Sequence, residues 1–133
     1  MTPTEFQTFK NLRDKFDKEV EDLFFYIKKQ YLDVLQYGRY SSYGRYGIDE
    51  DEICIEYYDN CYDLYETTDI YIPINDFLYS PFEWADNWAN NIRAQRQKEK
   101  DKAIKEKEKK EKEELQRLKE KYEKKRIKNE SRR

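Results

Sequence analysis

The chain has 133 residues, of which 42% are charged and 37% hydrophobic, and its net charge is −2. A chain of this length forms one small domain, or a small domain plus an extension. Because the apolar fraction is low, the apolar residues must be concentrated in one part of the chain to form a core. No apolar run approaches the length of a membrane span and the opening residues show no signal-peptide pattern, so we expect a cytoplasmic protein with no membrane partner.

The charges are distributed unevenly along the chain. Residues 1–97 contain 10 basic and 19 acidic side chains, a net charge of −9, whereas residues 98–133 contain 17 basic and 10 acidic side chains, a net charge of +7. Residues 46–92 contain 12 carboxylates and neither Lys nor Arg. This asymmetry indicates an electrostatic partner, or attraction of one half for the other.

The first predicted element is a helix over residues 3–37. Thr2 is a suitable N-cap, Pro3 suits the first helical position, and Glu5 completes a capping box. A residue such as Gly38 commonly ends a helix. Apolar residues recur every three or four positions and form one stripe along the helix: Phe6, Phe9, Leu12, Phe16, Val20, Leu23, Ile27, Tyr31 and Val34.

Residues 38–47 are predicted to form a loop. Together with Tyr37 they read YGRYSSYGRYG, two copies of YGRY around a Ser-Ser pair, and they include all three glycines of the chain. Glycine gives the backbone the freedom that a connection needs, so we interpret the stretch as a flexible connector anchored by tyrosines. Recognition of nucleic acid and contact with a protein are the alternative interpretations.

The segment 52–74 is predicted to form a β-hairpin. Ile53, Ile55 and Tyr57 alternate with Cys54, Glu56 and Tyr58 in EICIEYYD, which is the period of a strand. The sequence YETTDIYIPI predicts the second strand, and its proline indicates a sheet edge or a strand end. If this second run is broken near Thr67, the sheet is a three-stranded meander instead.

The last helix is predicted to begin at residue 81. Ser80, Pro81 and Glu83 repeat the signals that open the first helix. An apolar face then ends at Ile92, and it comprises Phe82, Ala85, Trp88, Ala89 and Ile92. Trp84 and Trp88 stand one helical turn apart and are expected to pack against the hairpin and the first helix. Residues 1–95 are therefore the predicted domain.

Residues 96–133 are predicted to be a highly charged helical extension, frayed or disordered at its end. They contain no Gly or Pro, and acid-first pairs such as Glu106 and Lys110 favour a solvated helix. The predicted fold class is α+β with the order αββα, in which two helices cover one face of a small antiparallel sheet.

The chain has no recognisable catalytic motif. It has no His to act as a general base near neutral pH, and neither a nucleophile elbow nor a phosphate-binding loop is present. Its two cysteines, Cys54 and Cys61, are too few for a structural zinc site and are expected to be reduced. We therefore predict a non-enzymatic protein with no cofactor and no metal.

The leading hypothesis is a protein-interaction module. Acidic and tyrosine residues concentrate on the predicted hairpin and its flanks, a combination that favours a protein partner with a basic surface, and one version is mimicry of a nucleic-acid backbone. Composition and size suit an accessory protein of a phage or mobile element, for example an inhibitor of a host protein. The candidate binding residues are Asp49, Glu50, Asp51, Glu52, Glu56, Tyr58, Asp59, Asp63 and Tyr65.

Two other hypotheses compete with this one. A structural protein would form homo-oligomers through the first helix, whose apolar stripe is longer than a small hairpin covers. A nucleic-acid-binding protein would use the YGRY loop and the basic C-terminal tail, although the interspersed carboxylates would repel phosphates. Its candidate contacts are Arg39, Tyr40, Arg45, Tyr46, Lys124, Lys125 and Arg126.

Overall fold

The computed structural model describes residues 1–61 and 66–130. The fold is α+β, as predicted, with a long N-terminal helix, a three-stranded antiparallel sheet and a long C-terminal helix in chain order. The chain divides into two compact units, Met1–Ile92 and Arg93–Arg133. In chain order the elements are α1 (Pro3–Gln30), a 3-10 turn (Gly38–Tyr40), β1 (Ser41–Ile48), β2 (Glu52–Asp59), β3 (Thr67–Pro73), α2 (Ile74–Tyr79) and α3 (Pro81–Glu130).

The predicted capping box opens α1. The Glu5 N–H donates to Thr2 Oγ1 at 3.1 Å, and the Thr2 N–H donates to Glu5 Oε1 at 3.4 Å. The helix ends at Gln30, seven residues before the predicted end, so that boundary is wrong. Tertiary contacts override the helical pattern here, because the Gln36 N–H donates to the Tyr57 hydroxyl of β2 at 3.1 Å.

The loop predicted over residues 38–47 is wrong, because Ser41–Ile48 forms strand β1. Its register with β2 shifts between Tyr43 and Arg45, which marks a β-bulge. The extra residue in the bulge lets Tyr43 and Tyr46 both pack against the core although they are three positions apart. The bulge therefore conceals the alternation by which a strand is recognised in a sequence.

Two glycines permit this path of the backbone. Gly38 has a φ of +55°, in the left-handed region that favours glycine, where the chain turns from α1 toward the sheet. At Gly44, an added Cβ would lie 2.9 Å from the backbone oxygen of Glu56 on β2. The bulge therefore depends on the absence of a side chain at Gly44.

The hairpin predicted over residues 52–74 is confirmed as β2 and β3. Strand β2 is central and pairs antiparallel with β1 on one side and β3 on the other. The third strand thus precedes the hairpin and does not arise from a break near Thr67. Helix α2, which the sequence pattern did not indicate, follows Pro73. The Ile74 N–H donates to the backbone oxygen of Asp51 at 2.9 Å.

The core lies on one face of the sheet, the inner sheet face. Phe24 of α1 packs there, with its ring centroid 5.7 Å from those of Tyr43 and Tyr57. The rings of Trp84 and Trp88 stack with their centroids 5.8 Å apart, and both side chains pack against the core. The buried cluster comprises Val20, Leu23, Phe24, Ile27, Leu35, Ile53, Ile55, Tyr57, Ile70, Ile72, Phe77 and Ala85.

A carboxylate joins α1 to the start of α3. The Tyr26 hydroxyl donates to Asp86 Oδ1 at 2.7 Å, and the Tyr31 hydroxyl donates to the same oxygen at 2.5 Å. These hydrogen bonds, first from Tyr31 and then from Tyr26, hold the pKa of Asp86 below its usual range. The hydrogen bond to Asp86, with burial, raises the pKa of Tyr26 to about 12.

In the second unit, α3 continues to Glu130, and residues 93–129 are all exposed. The Gln97 amide donates to Asp101 Oδ1 at 3.1 Å, one of the four-residue side-chain pairs that support a solvated helix. The predicted fraying at the end of the chain falls on residues 131–133, outside the described residues. None of the described helices is both long enough and apolar enough to cross a membrane.

Candidate protein-interaction surface

The side of the sheet that faces away from the core carries the candidate site. On β2, Cys54, Glu56 and Tyr58 alternate with buried residues, so their side chains leave the sheet on the side opposite the core. The strand register places residues of β1 and β3 beside them. We define this outer sheet face by Arg45, Cys54, Glu56, Tyr58, Asp69 and Tyr71.

A charged row crosses the three strands of this face. The register aligns Arg45 of β1 with Glu56 of β2, and Glu56 with Asp69 of β3. Arg45 Nε donates to Glu56 Oε2 at 3.2 Å. Glu56 and Asp69 are like charges in directly opposed positions, an arrangement that destabilises an antiparallel pair. The row therefore has one carboxylate more than its single arginine balances.

Cys54 and Tyr71 stand opposite each other in the neighbouring row. The Tyr71 hydroxyl donates to Asp69 Oδ2 at 3.2 Å. This hydrogen bond is the main reason why the pKa of Tyr71 is raised. Burial, with the nearby Asp69 carboxylate, raises the pKa of the Cys54 thiol. Because the thiolate is the reactive form, this environment makes Cys54 a poor nucleophile.

The β1–β2 connection and the first residue of β2 supply an acidic rim, Asp49 to Glu52, whose four side chains are all exposed. The Asp49 N–H donates to the backbone oxygen of Glu52 at 2.9 Å, and the Glu50 N–H donates to the Asp49 carboxylate at 2.8 Å. These bonds fix the backbone of the turn. The rim adds negative charge at the end of the outer sheet face where β2 begins.

The structure brings together only some of the predicted binding residues. Glu56 and Tyr58 lie on the outer sheet face, and the rim adjoins its end. Asp59 lies at the other end of β2, roughly 24 Å from Glu52 at about 3.4 Å per residue. There the Asp59 carboxylate accepts the Cys61 N–H at 2.9 Å and closes a turn. Asp63 and Tyr65 lie outside the described residues.

Sequence reasoning missed the contributions of β1 and β3 to this face. In DIYIP, Asp69 and Tyr71 alternate with the buried Ile70 and Ile72, a signal that could have assigned them to the outer side. Their alignment with Glu56 and Cys54 required the strand register. Arg45 is a predicted contact only under the alternative nucleic-acid hypothesis, and in the structure it pairs with the Glu56 carboxylate.

Within the first unit, the residues predicted to contact nucleic acid are not gathered in one place. Arg39 precedes β1, and its guanidinium carbon lies 4.7 Å from the centroid of the Tyr40 ring. Arg45 lies on the outer sheet face. Tyr46 packs on the inner side against Phe16, and its hydroxyl donates to an α1 carboxylate. The predicted tail contacts Lys124, Lys125 and Arg126 belong to the other compact unit.

In residues 1–61 and 66–130, no group of three or more His, Cys, Asp or Glu side chains is placed to hold a metal ion. No protein-family model, curated protein or solved structure matches the chain. The function therefore has to be inferred from the arrangement of the protein's own residues.

Proposed function

We propose that the protein is a non-enzymatic interaction module that binds a basic protein partner through the outer sheet face. The observation that carries the proposal is the direct opposition of Glu56 and Asp69 across β2 and β3. This opposition costs the folded chain stability. A cationic side chain from a partner, placed between the two carboxylates, would replace the repulsion by charge-assisted hydrogen bonds.

The aromatic residues beside this pair support a protein as the partner. Tyr58 is half-buried and Tyr71 exposes 55% of its surface, so their rings offer contact area on a sheet that already holds them in place. Tyrosine area of this kind loses little conformational entropy on binding. A partner with Arg or Lys at the centre of its contact and apolar groups around it fits this chemistry.

The charge layout supports a basic protein over nucleic acid. Arg45, the one cation of the outer sheet face, is already paired with Glu56, and the nearby rim is anionic. Phosphates would be repelled by these carboxylates, whereas a basic protein surface is attracted to them. Inhibition of a host protein through a basic, nucleic-acid-binding surface is one specific form of the proposal.

The test compares proteins captured from a host lysate by two matched double variants. Glu56→Gln with Asp69→Asn should lose the partner that the wild-type chain captures, because the two carboxylates that attract it are gone. Glu21→Gln with Asp22→Asn removes the same charge from exposed positions on α1 and should retain the partner. Mass spectrometry identifies the captured chains. Equal capture by both variants, or loss in the α1 control alone, would contradict the proposal.

A further inference from the structure

The apolar stripe of α1 is only half covered. The second half of the helix supplies four buried core residues. The boundary between the exposed and the covered part of the stripe is Phe16, which is half-buried. Its ring centroid lies 5.5 Å from that of Tyr46 and 5.1 Å from that of Phe77. In the first half, three large apolar side chains on the same stripe are mostly exposed: Phe6 (57%), Phe9 (54%) and Leu12 (61%).

The first half of α1 also differs in charge from the rest of its unit. Residues 1–18 contain four basic and three acidic side chains, a net charge of +1. Residues 19–92 contain four basic and 16 acidic side chains, a net charge of −12. Two copies of the unit therefore repel each other over most of their surface but not at this segment. An apolar stripe with nearly balanced charges suits contact with its own copy.

The order of residues around Phe9 fits an antiparallel helix pair. Phe6 and Leu12 stand three residues on either side of Phe9, and Glu5 and Arg13 stand four residues on either side. In an antiparallel pair centred on Phe9, Phe6 meets Leu12 of the second copy and Glu5 meets Arg13 of the second copy, each twice. At 100° per residue, Glu5 and Arg13 lie about 40° from Phe9, so both point toward the second helix.

The same register also fits the place where the sheet begins. Thr2, the N-cap of α1, stands seven residues before Phe9, and Phe16 stands seven residues after it. The start of one helix therefore reaches the point where the sheet covers the stripe of the other. In a parallel pair, the two sheets would instead compete for one space on the shared stripe.

We propose that residues 2–16 form a twofold, antiparallel helix contact between two copies of the chain. The contact is separate from the outer sheet face, which lies on the other side of the sheet from α1. Three half-exposed side chains per copy give a smaller interface than the roughly 800 Å² per partner of stable complexes. We therefore expect a dimer that forms at high micromolar concentration and dissociates on dilution.

Sedimentation equilibrium of the full chain from about 10 μM to about 1 mM tests the dimer. The wild-type mass should rise from 16.6 kDa toward twice that value. Phe9→Asp should raise the dissociation constant at least about tenfold, because it places a charge at the centre of the contact. Phe25→Asp is the matched control, since Phe25 is 49% exposed on the same helix but about 160° around it from Phe9. It should dimerise like the wild-type chain.

A charge exchange tests the antiparallel register. Arg13→Glu should weaken the dimer severalfold, because the two Glu side chains then repel. Adding Glu5→Arg should restore the affinity to within about twofold. This rescue would not come from the capping box, which the double variant lacks. Failure of the rescue, with helix content retained in circular dichroism, would overturn the antiparallel register.

Two outcomes would overturn the dimer itself. One is a monomeric wild-type chain throughout the concentration range. The other is a monomeric chain that co-floats with vesicles of equal parts phosphatidylcholine and phosphatidylserine and loses this binding in Phe9→Asp, which would assign the stripe to a membrane surface.

Discussion

The two faces of the sheet are made by the same three strands but meet different physical demands. On the inner sheet face, Ile53, Ile55 and Ile72 expose 1% or less of their surface. On the outer sheet face, Glu56 opposes Asp69, a pairing that folding does not favour. Burial therefore stabilises the fold through the inner face, whereas the opposition on the outer face does not, and the proposed interaction would account for it.

Truncation on the inner face should have the largest effect. Ile55→Ala removes a fully buried side chain from the centre of β2 and should cost about 2–5 kcal/mol of unfolding free energy. Cys54→Ala, the next residue but on the outer face, should cost under about 1 kcal/mol. Urea denaturation of both variants measures the difference. Similar losses would mean that the outer face also holds the fold together.

The bulge that sets the two faces of β1 should give the next largest effect. Gly44→Ala places a Cβ 2.9 Å from the Glu56 backbone oxygen and should cost about 1–3 kcal/mol. Gly47→Ala, on the same strand with no atom within 4 Å of the added Cβ, should change stability by less than about 0.5 kcal/mol. The same denaturation experiment compares them. Equal stability of the two variants would argue against the bulge.

A smaller effect should appear at high pH through Tyr46 on the inner side. Burial and the hydrogen bond to Asp17 raise the pKa of Tyr46 to about 12, whereas a tyrosine in an unfolded chain titrates near 10. The folded state therefore holds this proton more tightly, and the resulting stability is complete below about pH 10 and is lost as pH rises toward 12. Tyr46→Phe should reduce this loss in urea denaturation between pH 9 and 12 and leave the part that arises from Tyr26, whose pKa is also raised to about 12. Parallel wild-type and variant curves would contradict the pKa assignment.

The contrast between β1 and β2 shows how far sequence reasoning reaches. EICIEYYD alternates regularly, so the pattern alone predicts β2 and its buried side. The two YGRY copies are identical, yet Tyr37 to Tyr40 includes a 3-10 turn and Tyr43 to Tyr46 a bulged strand. The difference arises from pairing with β2, which is a contact distant in sequence and has no local signal.

The same reasoning explains which parts of the candidate site were predictable. Glu56 and Tyr58 follow from the alternation of β2. Asp69 and Tyr71 alternate too, but only the register of β3 places them beside those residues. Asp59 was assigned by its charge, whereas its carboxylate closes a turn at the far end of the strand.

The proposed function requires the outer sheet face to give up stability for binding, and Asp69→Asn tests this trade directly. The variant removes the like-charge opposition, so its unfolding free energy should rise by about 0.2–1 kcal/mol. It should also weaken binding of a short peptide of alternating Lys and Val. In NMR titrations of the wild-type chain, that peptide should shift the amides of β2 and β3. A variant that is less stable, or that binds the peptide as well as the wild-type chain does, would contradict the claim.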